Sequence, residues 1–164
     1  MILYHPAYDI HHCSYRILNV LSNLPNYSVN EEVLKLIDFY YLYPHFLKRI
    51  TNLPRPFNSK KALINSIPEP FEVTPNQKSL FYELNILQES SVSTLAKKSI
   101  LSVEEGLIKL NFDILPCLLK EKIEMDSFSK TKTFKMLIEC FPKVNLNGVN
   151  GFKSRSGLME YRYG

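Results

Sequence analysis

The sequence predicts a mainly α-helical fold with a small β component, in which a helical domain contains a winged-helix-like core. Apolar residues recur three and four positions apart along most of the chain, which is typical of helices that bury one face. One short segment instead alternates apolar and polar residues, which is typical of a strand. A helix, a shorter helix and this strand follow one another in the order expected of a helix-turn-helix with a wing.

Length and composition are those of one globular domain. The chain has 164 residues, of which 45% are hydrophobic and 22% are charged, and both fractions are near the globular average. No apolar run approaches the roughly 18 residues that a membrane span needs, and the N-terminus does not have the pattern of a signal peptide. The three cysteines are far apart, which fits reduced thiols. We therefore expect a cytoplasmic protein without membrane contact.

The first part of the chain, residues 1–50, is expected to form two helices. Asp9 is placed to cap the first helix, because its side chain can accept from backbone amides of the first turn. The second helix is capped by Ser28 or by Asn30, and acidic residues follow in its first turn, where the helix dipole favours them. Pro44 breaks or kinks this second helix.

A Pro-rich basic connector follows at residues 51–74, with room for a brief helix around residues 59–67. Its composition marks the best candidate boundary in the chain. The third part, residues 75–164, is predicted to hold the winged-helix-like elements and a C-terminal strand tail. We expect the three parts to pack as one compact unit.

The third part begins with a helix after Pro75 that Ser90 and Ser91 are expected to interrupt. The alternation that predicts a strand places Ile108 and Leu110 on one face and Lys109 on the other. The further elements are expected in this order: a short helix at 92–98, the strand at 107–112, helices at about 114–125 and 133–141, and a terminal strand at 158–163.

Nucleotide and metal chemistry have little support in the sequence. Neither a Gly-Lys-Ser/Thr triplet nor a Gly-x-Gly-x-x-Gly occurs, so the phosphate-binding loops of ATPases and dinucleotide enzymes cannot form. Adjacent His11 and His12 point about 100° apart on a helix, and no repeated Cys-x-x-Cys or His-x-x-x-His spacing accompanies them. We expect no metal and no cofactor.

Hydrolytic chemistry is not indicated either. Nuclease sites gather carboxylates around a metal ion, but Glu121, Glu124 and Asp126 lie on a charged helix face that is expected to be solvated. Cys117 and Cys140 are surrounded by apolar residues, where a cysteine usually packs as a small hydrophobe. The sequence therefore predicts a protein that is not an enzyme.

Two groups of basic residues are candidate binding sites. The first group has no acid among its members and is either a patch that binds DNA or a partner, or an ordinary surface. The second group combines arginine with aromatic residues, as binding hot spots do, and is predicted to be a partner interface. The first group is Lys48, Arg49, Arg55, Lys60 and Lys61. The second group is Phe152, Lys153, Arg155, Tyr161, Arg162 and Tyr163.

Asp38 lies inside an apolar run of the second predicted helix. A buried acid costs several kcal/mol unless it is paired or hydrogen-bonded. We therefore predict a structural role for Asp38, with Arg16 or Arg162 as its partner.

Several short motifs along the whole chain form a recognisable pattern. The motifs are Tyr4-His5-Pro6-Ala7-Tyr8-Asp9 with His12, Tyr15-Arg16-Ile17-Leu18, Leu36-Ile37-Asp38-Phe39-Tyr40 with Tyr43-Pro44, and Phe152-Lys153-Ser154-Arg155-Ser156-Gly157-Leu158-Met159-Glu160-Tyr161-Arg162-Tyr163. With these motifs the chain resembles the middle components of bacterial ABC-three-component systems. None of the motifs is catalytic, so the resemblance transfers no active-site residue.

Middle components of this kind are similar to the small accessory subunit of Lamassu anti-phage defence complexes. The resemblance implies a non-enzymatic adaptor that bridges an SMC-like ABC ATPase, a dimeric coiled-coil protein that senses DNA, and a separate effector that is often a nuclease. It leaves open whether the adaptor itself contacts DNA.

The alternative function is a DNA-binding winged-helix transcriptional regulator. Its recognition helix would lie near residues 92–100 and would carry Lys97 and Lys98. Two lysines are few for a protein that has to neutralise several phosphates, so the sequence favours the adaptor.

Overall fold

A computed structural model describes residues 9–73 and 76–158 of the chain. Short 3₁₀ turns connect several of its helices and strands. The prediction of a mainly helical fold with a small β component is confirmed. In chain order the elements are α1 (Ile10–Ser22), β1 (Ser28–Asn30), α2 (Glu31–Leu42), α3 (Lys61–Asn65), α4 (Gln77–Lys97), β2 (Leu101–Glu104), β3 (Leu107–Leu110), α5 (Cys117–Glu124), α6 (Lys132–Cys140) and α7 (Phe152–Ser156).

Side-chain caps begin the three long helices. The Asp9 carboxylate accepts from the backbone amide of His11 at 2.7 Å, as the sequence predicts for α1. The Asn30 side chain accepts from the amide of Glu32 at 2.9 Å and starts α2. Asn76 does the same for α4. Each cap satisfies an amide that has no partner inside its helix.

The sheet has three antiparallel strands in the order β1-β3-β2. The central strand β3 is the one predicted from alternation, and its Ile108 and Leu110 side chains are buried while Lys109 is exposed. Its strand pairing ends at Leu110, two residues earlier than predicted. The outer strand β1 has only three residues, and three of the four residues of β2 are exposed, so neither strand shows an alternating pattern like that of β3.

Elements from both ends of the chain form the core together. Helix α1 packs against α2 and α4, and β1 pairs with β3. The elements that pack around the sheet follow the chain order α1-β1-α2-α4-β2-β3, and the placement of a winged-helix-like core in residues 75–164 stays a prediction. The winged-helix character itself stays a prediction.

Helix α4 is continuous through Ser90 and Ser91, so the predicted interruption is wrong. Ser91 is fully buried and its hydroxyl donates to the carbonyl of Ile10 at 3.5 Å, whereas Ser90 is exposed. A small side chain at this position lets α4 approach the start of α1. The helix ends instead near Ser99, whose φ of 61° is left-handed.

The connector is only partly an extended linker. The predicted brief helix is present as a 3₁₀ turn at Phe57–Lys60 followed by α3. Phe57 and Ile64 are buried in the common core, so this half is packed against the domain. The following residues, 68–73, are all exposed.

Candidate functional site

Phe152, the first aromatic residue of the predicted tail interface, lies in the core. Phe152 has no exposed surface, and its ring lies 5.0 Å from that of Phe141, 5.7 Å from that of Phe57 and 5.8 Å from that of Tyr40, between ring centroids. Such close edge contacts stabilise buried aromatic clusters. The interface prediction for Phe152 is therefore corrected: its side chain packs inside the domain and is not available to a partner.

A glycine places Phe152 in this cluster. A Cβ atom at Gly151 would come within 2.3 Å of the carbonyl oxygen of Asn147, so only glycine permits this approach of the backbone. The amide of Phe152 donates to the carbonyl of Asn145 at 2.8 Å. The tight turn turns the chain inward and starts α7, an element that the sequence analysis missed.

The charged tail residues within the described range bind their own chain. Lys153 forms an ion pair with Glu32 at 2.7 Å. The Arg155 guanidinium donates to the backbone carbonyls of Asn150 and Asn52. A role of Lys153 and Arg155 in partner binding stays a prediction. The other predicted members, Tyr161, Arg162 and Tyr163, and most of the predicted terminal strand lie outside the described residues.

The basic run is partly neutralised within the chain. Lys48 donates to the carbonyl of Ile67 at 2.6 Å and pairs with Glu69 at 2.8 Å. The hydrogen bond from Lys48 to the Glu69 carboxylate lowers the pKa of Glu69. The Arg49 guanidinium lies 4.7 Å from the centre of the Phe46 ring, a cation–π contact. These two residues thus contact their own chain, and a role of Lys48 and Arg49 in binding DNA or a partner stays a prediction.

The rest of the basic run lies farther along the connector. Arg55 and Lys61 are exposed, and Lys60 is half-buried. Whether these three residues contact DNA or a partner stays a prediction.

Asp38 lies in a buried network that joins three helices. The Nε atom of Arg16 on α1 donates to Oδ1 of Asp38 on α2 at 2.7 Å, and Nε2 of Gln88 on α4 donates to Oδ2 at 2.9 Å. Burial by itself would lower the pKa of Arg16, but the Asp38 carboxylate raises it overall. Arg16, one of the two partners suggested for Asp38 from the sequence, is therefore its partner in the structure. The other suggested partner, Arg162, lies outside the described residues.

A second polar cluster ties α1 to the turn after α5. The Tyr15 hydroxyl donates to Oδ2 of Asp126 at 2.7 Å, and the amide of Ser129 donates to Oδ1 at 2.9 Å. Burial alone would raise the pKa of Asp126, but these hydrogen bonds outweigh it and the pKa is lowered. Burial and the neighbouring carboxylate raise the pKa of Tyr15. Tyr15, Asp126 and Ser129 each have a hydrogen-bond partner within the domain, which supports a structural role for the cluster.

Helix α4 exposes an apolar pair that the sequence analysis missed. Tyr82 is 45% exposed and Ile86 is 71% exposed. They are one helical turn apart, on the side of α4 opposite the buried Leu80 and Leu84. The sequence did contain a signal for this pair, because Tyr82 and Ile86 are two apolar residues four positions apart that lie outside the core-facing side of the predicted helix.

The described residues include three free cysteines, of which Cys13 and Cys140 are buried, whereas Cys117 is exposed and does not pack as its apolar neighbours in the sequence led us to expect. Among residues 9–73 and 76–158, no three histidine, cysteine or acidic side chains lie close enough to hold a metal ion. Burial raises the pKa of the Cys13 thiol to about 11 and also raises that of Cys140, so neither is a ready nucleophile. No helix in this part of the chain is long and apolar enough to cross a membrane.

The comparisons with known proteins give one match. The model of the ABC-three component (ABC-3C) system Middle Component 5 family matches residues 2–164. No curated protein and no solved structure matches the chain. Because the match covers nearly the whole chain, the protein belongs to this family, and it is one component of a multi-component system.

Proposed function

We propose that this middle component is a non-enzymatic adaptor in an anti-phage defence complex similar to Lamassu systems. In this proposal it bridges an SMC-like ABC ATPase, which senses DNA, and a separate effector, often a nuclease. Family membership supports a role beside other components. The absence of a Gly-Lys-Ser/Thr triplet from the sequence supports assigning ATP hydrolysis to another subunit.

The single observation that carries the proposal is the exposed apolar pair on α4. Tyr82 and Ile86 lie on the outward face of the longest helix in the described chain. Aromatic and aliphatic side chains that are exposed next to each other are typical of the centre of a protein interface. A rigid helix also presents them at little cost in conformational entropy.

Charge argues for a protein partner over DNA. The exposed side of α4 carries Glu83 and Glu89, strand β2 ends with Glu104, and Glu105 follows it in the turn. The recognition helix of a DNA-binding regulator, at residues 92–100, would offer only Lys97 and Lys98 to phosphates, and the two acids at the end of β2 would repel them. Direct DNA binding by the isolated chain is therefore not proposed.

The adaptor function can be tested by co-expression of the tagged full chain with the ATPase and effector encoded beside it. We expect the wild-type chain to retain both components through affinity purification. Ile86→Glu places a charge in the apolar pair and is expected to lower recovery of at least one component about tenfold or more. The matched control is Ser93→Glu, which adds the same charge at an exposed position of the same helix.

Three outcomes decide between the functions. Recovery of neither component with the wild-type chain would contradict the adaptor. If Ile86→Glu and Ser93→Glu lowered recovery of the ATPase and the effector equally, the apolar pair would not be the binding surface. Salt-dependent, sequence-selective binding of DNA by the purified chain alone would favour the transcriptional regulator instead.

A further inference from the structure

We propose that this chain associates with itself head to tail, so that the arm of one copy occupies a groove on a second copy. The arm is defined as residues 68–73, and the groove is the cavity between the end of α1 and α6. The residue that enters the groove is Phe71. This inference is independent of the proposed adaptor function.

The arm presents the most exposed apolar side chains among the described residues. Phe71 and Val73 are essentially free of contact, at 110% and 98% relative exposure. Lys48 holds the base of the arm through its bonds to Glu69 and to the carbonyl of Ile67. Pro68 and Pro70, which have restricted φ angles, lower the entropy that the arm loses when it binds.

The groove has the size and character to accept these side chains. Its volume is about 480 Å³, within the range of sites that bury small ligands. Its lining combines apolar residues from the turn after α1 and from α6 with charged residues of α6 and the following turn. The lining residues are Asn23, Pro25, Ser129, Phe134, Lys135, Ile138, Glu139, Pro142 and Lys143.

The charges of the arm and the groove are complementary. Glu72 lies between the two apolar side chains of the arm, and Lys135 and Lys143 line the groove with Glu139 as the single acid. Among the described residues, Glu72, Lys135 and Lys143 form no ion pair within the chain. An acidic peptide with apolar side chains is thus the class of occupant that the groove fits, and this chain supplies one.

The arm and the groove are separate surfaces, which fixes the type of assembly. No arm residue lines the groove of its own copy within the described chain. A contact between two different surfaces is heterologous, and each added copy keeps one free arm and one free groove. The association therefore continues beyond a dimer or closes into a ring. The contact area is small, so the assembly is expected to be weak.

Sedimentation velocity of the purified full chain over a wide concentration range tests the proposal. We expect wild-type protein to form species larger than a dimer as its concentration rises. The arm variant, Phe71→Ser with Val73→Ser, and the groove variant, Lys135→Glu with Lys143→Glu, are each expected to weaken association about tenfold or more. Val149→Ser changes another exposed apolar loop residue and is expected to behave as the wild type.

Mixing the two variants gives the decisive result. The arm variant keeps an intact groove and the groove variant keeps an intact arm, so an equal mixture is expected to form a dimer that does not grow. Circular dichroism and thermal melting of each variant show whether the fold is retained. Adding Glu72→Lys to the groove variant restores opposite charges and is expected to restore self-association.

Several results would overturn the proposal. Wild-type protein that remains monomeric at all concentrations would do so, and so would an arm variant that associates as the wild type does. Two folded variants that stay monomeric when mixed would exclude a head-to-tail contact. An arm that is needed for binding the ATPase or effector while the chain stays monomeric would assign the arm to that partner. Because the experiment uses the chain alone, its failure leaves the adaptor function untouched.

Discussion

Two segments with an aromatic residue among charged ones have opposite positions in this protein. In α7, Phe152 stands before Lys153 and close to Arg155, yet its ring is fully buried among other aromatic rings. In the arm, Phe71 stands beside Glu72 and is fully exposed. Whether an aromatic residue in a charged segment reaches the surface therefore depends on the path of the backbone around it.

The backbone explains the difference between the two segments. Gly151 permits the close turn that starts α7, after which the helix directs Phe152 to the core. Pro68 and Pro70 instead keep the arm from forming helical or strand hydrogen bonds with the rest of the domain.

The largest effect is expected for Phe152→Ala. Removing a fully buried ring leaves a cavity among Tyr40, Phe57 and Phe141, and such changes lower the free energy of unfolding by about 3–5 kcal/mol. Urea unfolding followed by circular dichroism measures the loss. A variant as stable as the wild type would show that this ring does not support the core.

The second effect is expected for Gly151→Ala, which would place a Cβ atom 2.3 Å from the carbonyl oxygen of Asn147. The required backbone shift is expected to lower the free energy of unfolding by about 1–3 kcal/mol. Gly157→Asn is the control, because Gly157 has a φ of 68° and no atom near its missing Cβ, and asparagine tolerates this region. Equal losses in the two variants would contradict a steric role for Gly151.

The third effect is a pH dependence near the base of the arm. Burial lowers the pKa of His45 below its ordinary value of 6.5, and the charges of Lys48 and Arg49 act in the same direction while Glu69 opposes them. The unfolded chain therefore binds the proton more readily than the folded chain does. The contribution of neutral His45 to the free energy of unfolding is fully present above about pH 6.5 and decreases as the pH falls below that value. Urea unfolding at about pH 7.5 and about pH 5.5 measures the change.

His45→Gln serves as the control for this pH dependence, since it removes the titrating group. We expect it to lose the part of the dependence near pH 6.5 while retaining the decrease at lower pH, where carboxylates such as Asp126 are protonated. An unchanged profile in His45→Gln would show that another group is responsible.

The smallest effect on stability is expected for Phe71→Ala with Val73→Ala. Both side chains are exposed, so the free energy of unfolding should change by no more than about 0.5 kcal/mol. The same urea titration used for Phe152→Ala gives the comparison directly. A loss of several kcal/mol would mean that the arm packs against the domain and would end the contrast between the two segments.

Much of the fold was predictable because local signals agree with the tertiary structure. Asp9 caps the helix that it was expected to start, Asn30 is the one of the two suggested residues, Ser28 and Asn30, that caps α2, and the alternation around Ile108 marks the central strand. The predicted interruption of α4 at its serines was wrong, because the small side chain of Ser91 allows close packing against α1 and does not end the helix. Helix α7 was missed because five residues are too few for a periodic pattern.

The candidate surfaces were less predictable than the fold. Asp38 was recognised from one acid in an apolar run, because an unpaired buried charge is too costly to persist. The contacts of Phe152, in contrast, depend on residues far away in the chain. The exposure of Tyr82 and Ile86 depends on which face of α4 meets α1 and α2, and a helix with apolar residues on two sides leaves that choice open.

The helical class, the helix caps, the central strand and the need for a partner at Asp38 follow from the amino-acid sequence, because each depends on neighbouring residues or on the cost of burying a charge. The burial of Phe152, the exposure of Phe71 and the pairing of residues 28–30 with residues 107–109 follow from the tertiary structure. Those outcomes depend on long-range packing, in which burial of an apolar side chain is decided by the elements that arrive to cover it.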